Sequence, residues 1–365
     1  MIYFDSGATT LQKPPAVAEA FRYAMAHFAS PGRGGHAPAM AAADAVYACR
    51  EKAAALFDAQ PEQIVFTMNA THALNIAIRT LVRPGDRVVI SGFEHNAVTR
   101  PLHYLGAKTA VAGTRLFDPA DTLEAFSRLL TPETKAAVCT HVSNVFGYIL
   151  PLAQIAALCR ARGIPLIVDA SQSAGILPVS LRGLGAAFIA MPGHKGLYGP
   201  QGTGMLVCGR MPDPLMQGGS GSQSALAEMP DFLPDASEAG THNVSGIHAL
   251  AAGLDFVQSL GLGTILHHEA HLRRLLARGL REIPGALCFT GGAQSGVASF
   301  LYGAEDCEQT AQRLCESGIA VRAGLHCAPL AHRSAGTAQS GTVRVSFSVF
   351  NREEEVAAFL RAVKK

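Results

Sequence analysis

Two short apolar runs, Leu166–Val168 and Phe188–Ala190, each end in polar residues that carry chemistry. The first continues as DASQS and delivers Asp169 and Gln172. The second continues as MPGHKGLYGPQGTG and delivers His194 and Lys195 ahead of a glycine-rich turn. Buried strands of a parallel sheet read as continuous apolar runs of this kind. In an open α/β sheet, ligands bind beyond the carboxyl ends of the strands. The two runs therefore offer a carboxylate and a lysine at one rim of one sheet, 195 − 169 = 26 positions apart.

The rest of the chain suits such a sheet. Strand-like runs at Ile64–Phe66, Asp86–Ile90, Lys108–Ala112 and Ala136–His141 alternate with helical patterns at Pro119–Leu130 and Pro151–Arg162. Helices at Pro14–Phe28 and Ala39–Phe57 precede them, and one at Gly246–Leu260 follows a Gly-, Ser- and Pro-rich loop. This alternation predicts an α/β fold with a mostly parallel sheet between helices. Beyond Gly261 the pattern changes to a compact α+β unit. A chain of 365 residues exceeds one typical core. The expected division is a large domain over 15–260 and a small one built from 1–14 and 261–365.

Composition narrows the function classes. A net charge of +2 argues against nucleic acid and against a charged membrane face. No apolar run reaches the roughly 18 residues of a membrane span, and no signal-peptide pattern opens the chain. Eight cysteines are scattered without a C-x-x-C pair, which argues against a zinc site or a disulfide framework. A reducing cytoplasm is the expected location.

Several residues have both a bland and a functional reading. Asn69-Ala70-Thr71 sits between a strand and a helix, where it either caps the helix or binds phosphate on free N–H groups. His95 lies just past a strand end. The loop Ser30–His36 is either a connector or a wall of a site. Cys327 lies in a Gly- and Ala-rich loop with Arg322, His326 and His332, and basic neighbours favour the thiolate nucleophile. Arg344 stands among apolar residues of a strand, so it needs an anion, either a protein carboxylate or a substrate carboxylate.

The Asp169–Lys195 pair is what a pyridoxal phosphate (PLP) enzyme needs: an amine to join the cofactor aldehyde and a carboxylate for its ring nitrogen. VDASQS and GHKGLYGPQGTG resemble the PLP-binding core of class V aminotransferases, and within them the cysteine desulfurases. The resemblance implies PLP fold type I, with a mostly parallel seven-stranded sheet in the large domain. It implies that Ala70, Thr71 and His194 hold the phosphate, and that His95 of an E-H-x-A run stacks on the ring. Asp169 faces the ring nitrogen, and Gln172 the phenolic oxygen. Asn144, in an S-N-x-x-G run, reaches that oxygen or the substrate. Lys195 carries the cofactor.

EAGTHN resembles a segment whose threonine, here Thr241, completes the partner's phosphate site, which implies a homodimer. RAGLHCA resembles the R-x-G-H-H-C-A loop of the second desulfurase group, with Leu325 in place of the first histidine. Cys327 then accepts sulfur. Arg344 binds the substrate carboxylate, with Asn144, His36 of an R-G-x-H run and Arg322 as further substrate-binding candidates. The implied reaction converts L-cysteine to L-alanine and leaves a persulfide on Cys327 for an unidentified acceptor protein. The alternative is a selenocysteine lyase, acting on L-selenocysteine, or another class V β-lyase or aminotransferase in which Cys327 is dispensable. One departure stands out. Pro192 occupies a position where the family usually has a Ser or Thr hydroxyl for the phosphate.

Overall fold

The computed structural model describes residues 1–32 and 34–364. Seven strands form the main sheet, in the order Ile64–Thr67, Gly204–Cys208, Phe188–Pro192, Leu166–Asp169, Thr134–Thr140, Arg87–Ser91 and Lys108–Ala112. Pairing is parallel except at Gly204–Cys208, which runs antiparallel to both neighbours. Successive residues alternate between the faces. Val89 packs with Phe66, Phe126 and Ile189 on one side, and Val88 and Ile90 pack with Leu74, Ile78 and Leu102 on the other. Both faces are covered by helices, so the central strands are apolar throughout, as their sequence indicates.

A second sheet is antiparallel, in the order Arg322–Gly324, Thr342–Ser346, Val297–Tyr302 and Ala286–Cys288. Its core joins Phe300 and Val345 to Leu276, Leu314 and Phe359 of three helices. The first residues belong here. Ile2–Tyr3 pairs in parallel with Ile319–Ala320, and the backbone N–H of Ser346 donates to Phe4 O at 2.8 Å. This core is distinct from those on the two faces of the main sheet.

Some elements escape the sequence pattern. The strand Gly204–Cys208 follows directly on a glycine-rich turn, which hides its start. Gly204 is required there, because an added Cβ would lie 2.8 Å from the Asn69 backbone. The helix Asn96–Tyr104 contains Pro101, which reads as a breaker. The stretch 319–324 forms two short strands rather than one. Ile319–Ala320 pairs with the first strand, and Arg322–Gly324 joins the four-stranded sheet. A short helix, Pro329–Ser334, lies inside the cysteine loop.

One buried ion pair locks the edge of the main sheet. Arg50 donates to Glu238 and to the carbonyl of Ile64, and its guanidinium lies 4.6 Å over the Phe66 ring. Glu238 accepts in turn from the Phe66 N–H at 2.6 Å. Removing one partner strands a buried charge. Glu238→Ala should therefore cost about 3–5 kcal/mol of stability, read as a lower urea midpoint. Asp255→Ala, which breaks the exposed Lys52–Asp255 pair, should cost under about 1 kcal/mol.

Candidate active site

A cavity of about 110 Å3 opens at the carboxyl ends of the main strands. It is lined by Ala70, Thr71, His95, Asn144, Asp169, Gln172, His194 and Lys195, together with Asn69 and Pro192. The rim residues follow from register. Thr140 lies opposite Asp169, and Asp169 opposite Ala190, so the strand ends are level. Glu94 fastens one such end. Its Oε1 accepts from Ser91 Oγ at 2.5 Å and from the Thr140 N–H at 2.7 Å. Burial pushes its carboxyl up to about 8.

Lys195 is partly buried in the wall of this cavity. Burial, then the nearby Arg344 charge, lowers its amine to about 8, against the opposing pull of Asp169. Asp169 is buried and uses Oδ1 to accept from the Ser171 N–H at 2.9 Å. Gln172 donates to Gly7 O at 2.9 Å. His95 caps the helix Asn96–Tyr104 through Nδ1, which accepts from the Ala97 N–H at 3.0 Å. Burial lowers the pKa of His95, and it lowers that of His194 to about 4. The His194 carbonyl is held by the Thr10 N–H and by Lys13 Nζ, both at 3.1 Å.

Cys327 is exposed and lines a neighbouring groove of about 360 Å3. That groove shares Thr71, His95 and Ala97 with the Lys195 cavity. Thiol and amine therefore line adjacent spaces with three wall residues in common. Two bonds tie the loop to the rim: Asn96 N–H to Cys327 O at 2.7 Å and Asn144 Nδ2 to His326 O at 2.8 Å. His326 and Cys327 both adopt left-handed backbone, with φ of 50° and 54°, a strained pair for two non-glycine residues. The expected basic surroundings are met only in part. Burial lowers His326 to about 3 and His332 to about 4, so both rings are neutral at pH 7. They form a chain, with His326 Nδ1 3.5 Å from His332 Nε2, and His332 Nδ1 2.8 Å from Thr337 Oγ1.

Arg344 has a protein carboxylate as its partner. Its Nη2 donates to Asp5 Oδ1 at 2.7 Å and its Nη1 to Asn144 O at 3.0 Å. Arg322 also grips Asp5, through Nε at 3.0 Å and Nη2 at 2.9 Å. Neither arginine lines the Lys195 cavity itself. His36 is exposed at the start of the helix Ala37–Phe57, away from the cavity, and Arg33 of the same run lies outside the described residues. Thr241 lines a separate cleft of about 810 Å3 beside Arg50 and Glu238. Sequence reasoning missed Asp5 and Lys13. The signal for Asp5 was present, a carboxylate immediately after the first strand.

These residues fit PLP. Asn69 Oδ1 caps only the His72 N–H at 2.9 Å. The first-turn N–H groups of Ala70 and Thr71, which line the cavity, are left for an anion. His194 lines the same cavity and its Nδ1 is buried with no partner among the described residues. A free Asp169 oxygen and the low-pKa Lys195 amine complete the set that a pyridinium aldehyde requires.

The aminotransferase class-V family model matches residues 2–359. A probable cysteine desulfurase of Mycolicibacterium paratuberculosis is 34% identical over 100% of this chain, which spans 55% of that longer protein. One of Methanothermobacter thermautotrophicus is 34% identical, with 97% of this chain and 92% of the relative covered. The apo structure of a cysteine desulfurase from Thermococcus onnurineus superposes with a TM-score of 0.88 at 31% identity, covering 100% of this chain and 94% of that one. The strand-end lysine, its carboxylate and the helix N-terminus beside them thus sit in a chain that belongs to the class V aminotransferases, a family of PLP-dependent enzymes.

Proposed function

We propose that the protein is a cysteine desulfurase that converts L-cysteine to L-alanine and takes the sulfur onto Cys327. The observation that supports this reading is that the Lys195 cavity and the Cys327 groove are neighbours, with Thr71, His95 and Ala97 in the walls of both. When bound, PLP supplies an electron sink conjugated to the substrate Cα. Ala70, Thr71 and His194 would hold its phosphate, Asp169 its ring nitrogen and Gln172 its phenolic oxygen, with His95 against the ring.

The chain's own groups do the rest. Lys195 Nζ removes the Cα proton, a role suited to an amine whose pKa burial has lowered. Arg344 takes the substrate carboxylate in place of Asp5, which Arg322 already holds by two nitrogens. Asn144 orients the substrate from the rim. The Cys327 thiolate attacks the substrate sulfur. An S–S bond forms, the C–S bond breaks, and its electron pair stays with carbon, which takes up a proton to leave alanine. His95, kept neutral, has Nε2 available for proton transfer. Thr241 would act in the partner subunit of a homodimer, since its cleft shares no lining residue with the Lys195 cavity of its own chain. The persulfide passes to an acceptor protein. Eight free thiols suit the cytoplasm.

Three outcomes are expected. Cys327→Ala should lower persulfide and alanine formation from L-cysteine at least about 100-fold while alanine formation from L-selenocysteine survives, measured by mass spectrometry and amino-acid analysis. Equal loss on both substrates would point to a merely structural cysteine. Covalent PLP uptake by cofactor-free protein needs the neutral amine. Its rate should rise about tenfold per unit from pH 6 to 7 and level off above pH 8, because Lys195 titrates near 8. A rise that continues to pH 10 would contradict the low amine pKa. Pro192→Ser restores one phosphate donor and should tighten PLP binding about 5- to 10-fold, a gain of about 1 kcal/mol or slightly more. Unchanged affinity would remove Pro192 from the phosphate cup.

A further inference from the structure

The helix Leu262–Arg281 carries Arg273, Arg274, Arg278 and Arg281 in its last turns. Together with Thr290, Gly291 and Gly292 they line a cleft of about 660 Å3 in the second unit, which shares no lining residue with the Lys195 cavity. Every charged group in the cleft is an arginine. None of the four forms an ion pair with a carboxylate among the described residues.

A solvated basic helix face is the ordinary explanation of such a run. Two observations argue against it here. The surface is concave and of ligand size. Arg273 is also 7% exposed, yet among the described residues its side chain bonds only from Nη1 to Gln294 Oε1 at 3.0 Å, and its Nε is buried without a partner there. A buried guanidinium without an anion is costly. Arg274, Arg278 and Arg281 also stand at i, i+4 and i+7, where like charges repel. Such an arrangement persists when an anion neutralises it. Planar guanidinium groups take phosphate oxygens in pairs. The four span roughly 12 Å along the helix, a length that suits linked phosphates better than one. The opposite wall is open, since a side chain added at Gly292 would meet nothing within 4 Å.

We propose that this cleft binds a small polyphosphate, either the phosphate chain of a nucleotide or a free one. The test is calorimetric titration of the PLP-loaded protein, whose own phosphate cup is filled, with tripolyphosphate, ATP and adenosine at constant ionic strength. Tripolyphosphate and ATP should bind with Kd below about 1 mM and raise the unfolding midpoint by about 2 °C or more at saturation. Adenosine should not bind. The double variant Arg278→Glu, Arg281→Glu should weaken binding at least about 10-fold while far-ultraviolet circular dichroism is retained. Gly292→Asp should do the same without touching an arginine, which covers the case where the double variant fails to fold. Absence of binding, binding unchanged in Gly292→Asp, or binding of ATP but not of tripolyphosphate would each overturn the proposal. Displacement of tripolyphosphate by an equally charged glutamate peptide at lower concentration would overturn it in favour of an acidic protein partner.

Discussion

Arg322 and Arg344 are direct partners across two antiparallel strands. Like charges in that register repel, and Arg344 is also 2% exposed. The arrangement stands because Asp5 lies between them and accepts from both. Removing the carboxylate would leave a buried, uncompensated guanidinium, a loss of several kcal/mol. The same carboxylate draws the segment around Gly7 against Ser346 Oγ, to which the Gly7 N–H donates at 2.7 Å. Gly7 in turn accepts from Gln172. One ion triad therefore aligns the first residues, the second sheet and the rim of the main sheet.

Burial decides the charge state of the site. His95, His194, His326 and His332 all have lowered pKa values, with desolvation as the first cause. The imidazoles near the two openings are thus neutral, and the fixed positive charge rests on arginine. Neutral rings can stack, accept and relay protons without repelling a cationic substrate amine. Glu94 follows the same logic with the opposite sign, since burial raises it to about 8 and it serves as a hydrogen-bonding brace beneath the rim.

Much of this was legible in the chain. Apolar runs that end in Asp169 and Lys195 announced buried strands and a common rim, because strand burial and ligand placement obey the same sheet geometry. The cysteine loop was legible as a polar, glycine-rich interruption between strands. Local pattern could not show what depends on distant partners. Asp5 and Arg344 are 339 positions apart, and no spacing rule joins them. The neutral state of His326 and His332 was hidden for a related reason. Sequence shows basic residue types, whereas their charge depends on how much water the folded loop excludes. Pro101 misled in the other direction, since a local breaker was overruled by packing of the helix through Val98 and Leu102 into the core.

The bond between Phe4 O and the Ser346 N–H bears on how such a protein is made. On a ribosome, the strand that carries Asp169 and the turn that carries Lys195 emerge long before residue 346. The main sheet can close while the emerging site still lacks one wall. The site is then walled in only after residue 346 has emerged and its strand has met the first residues.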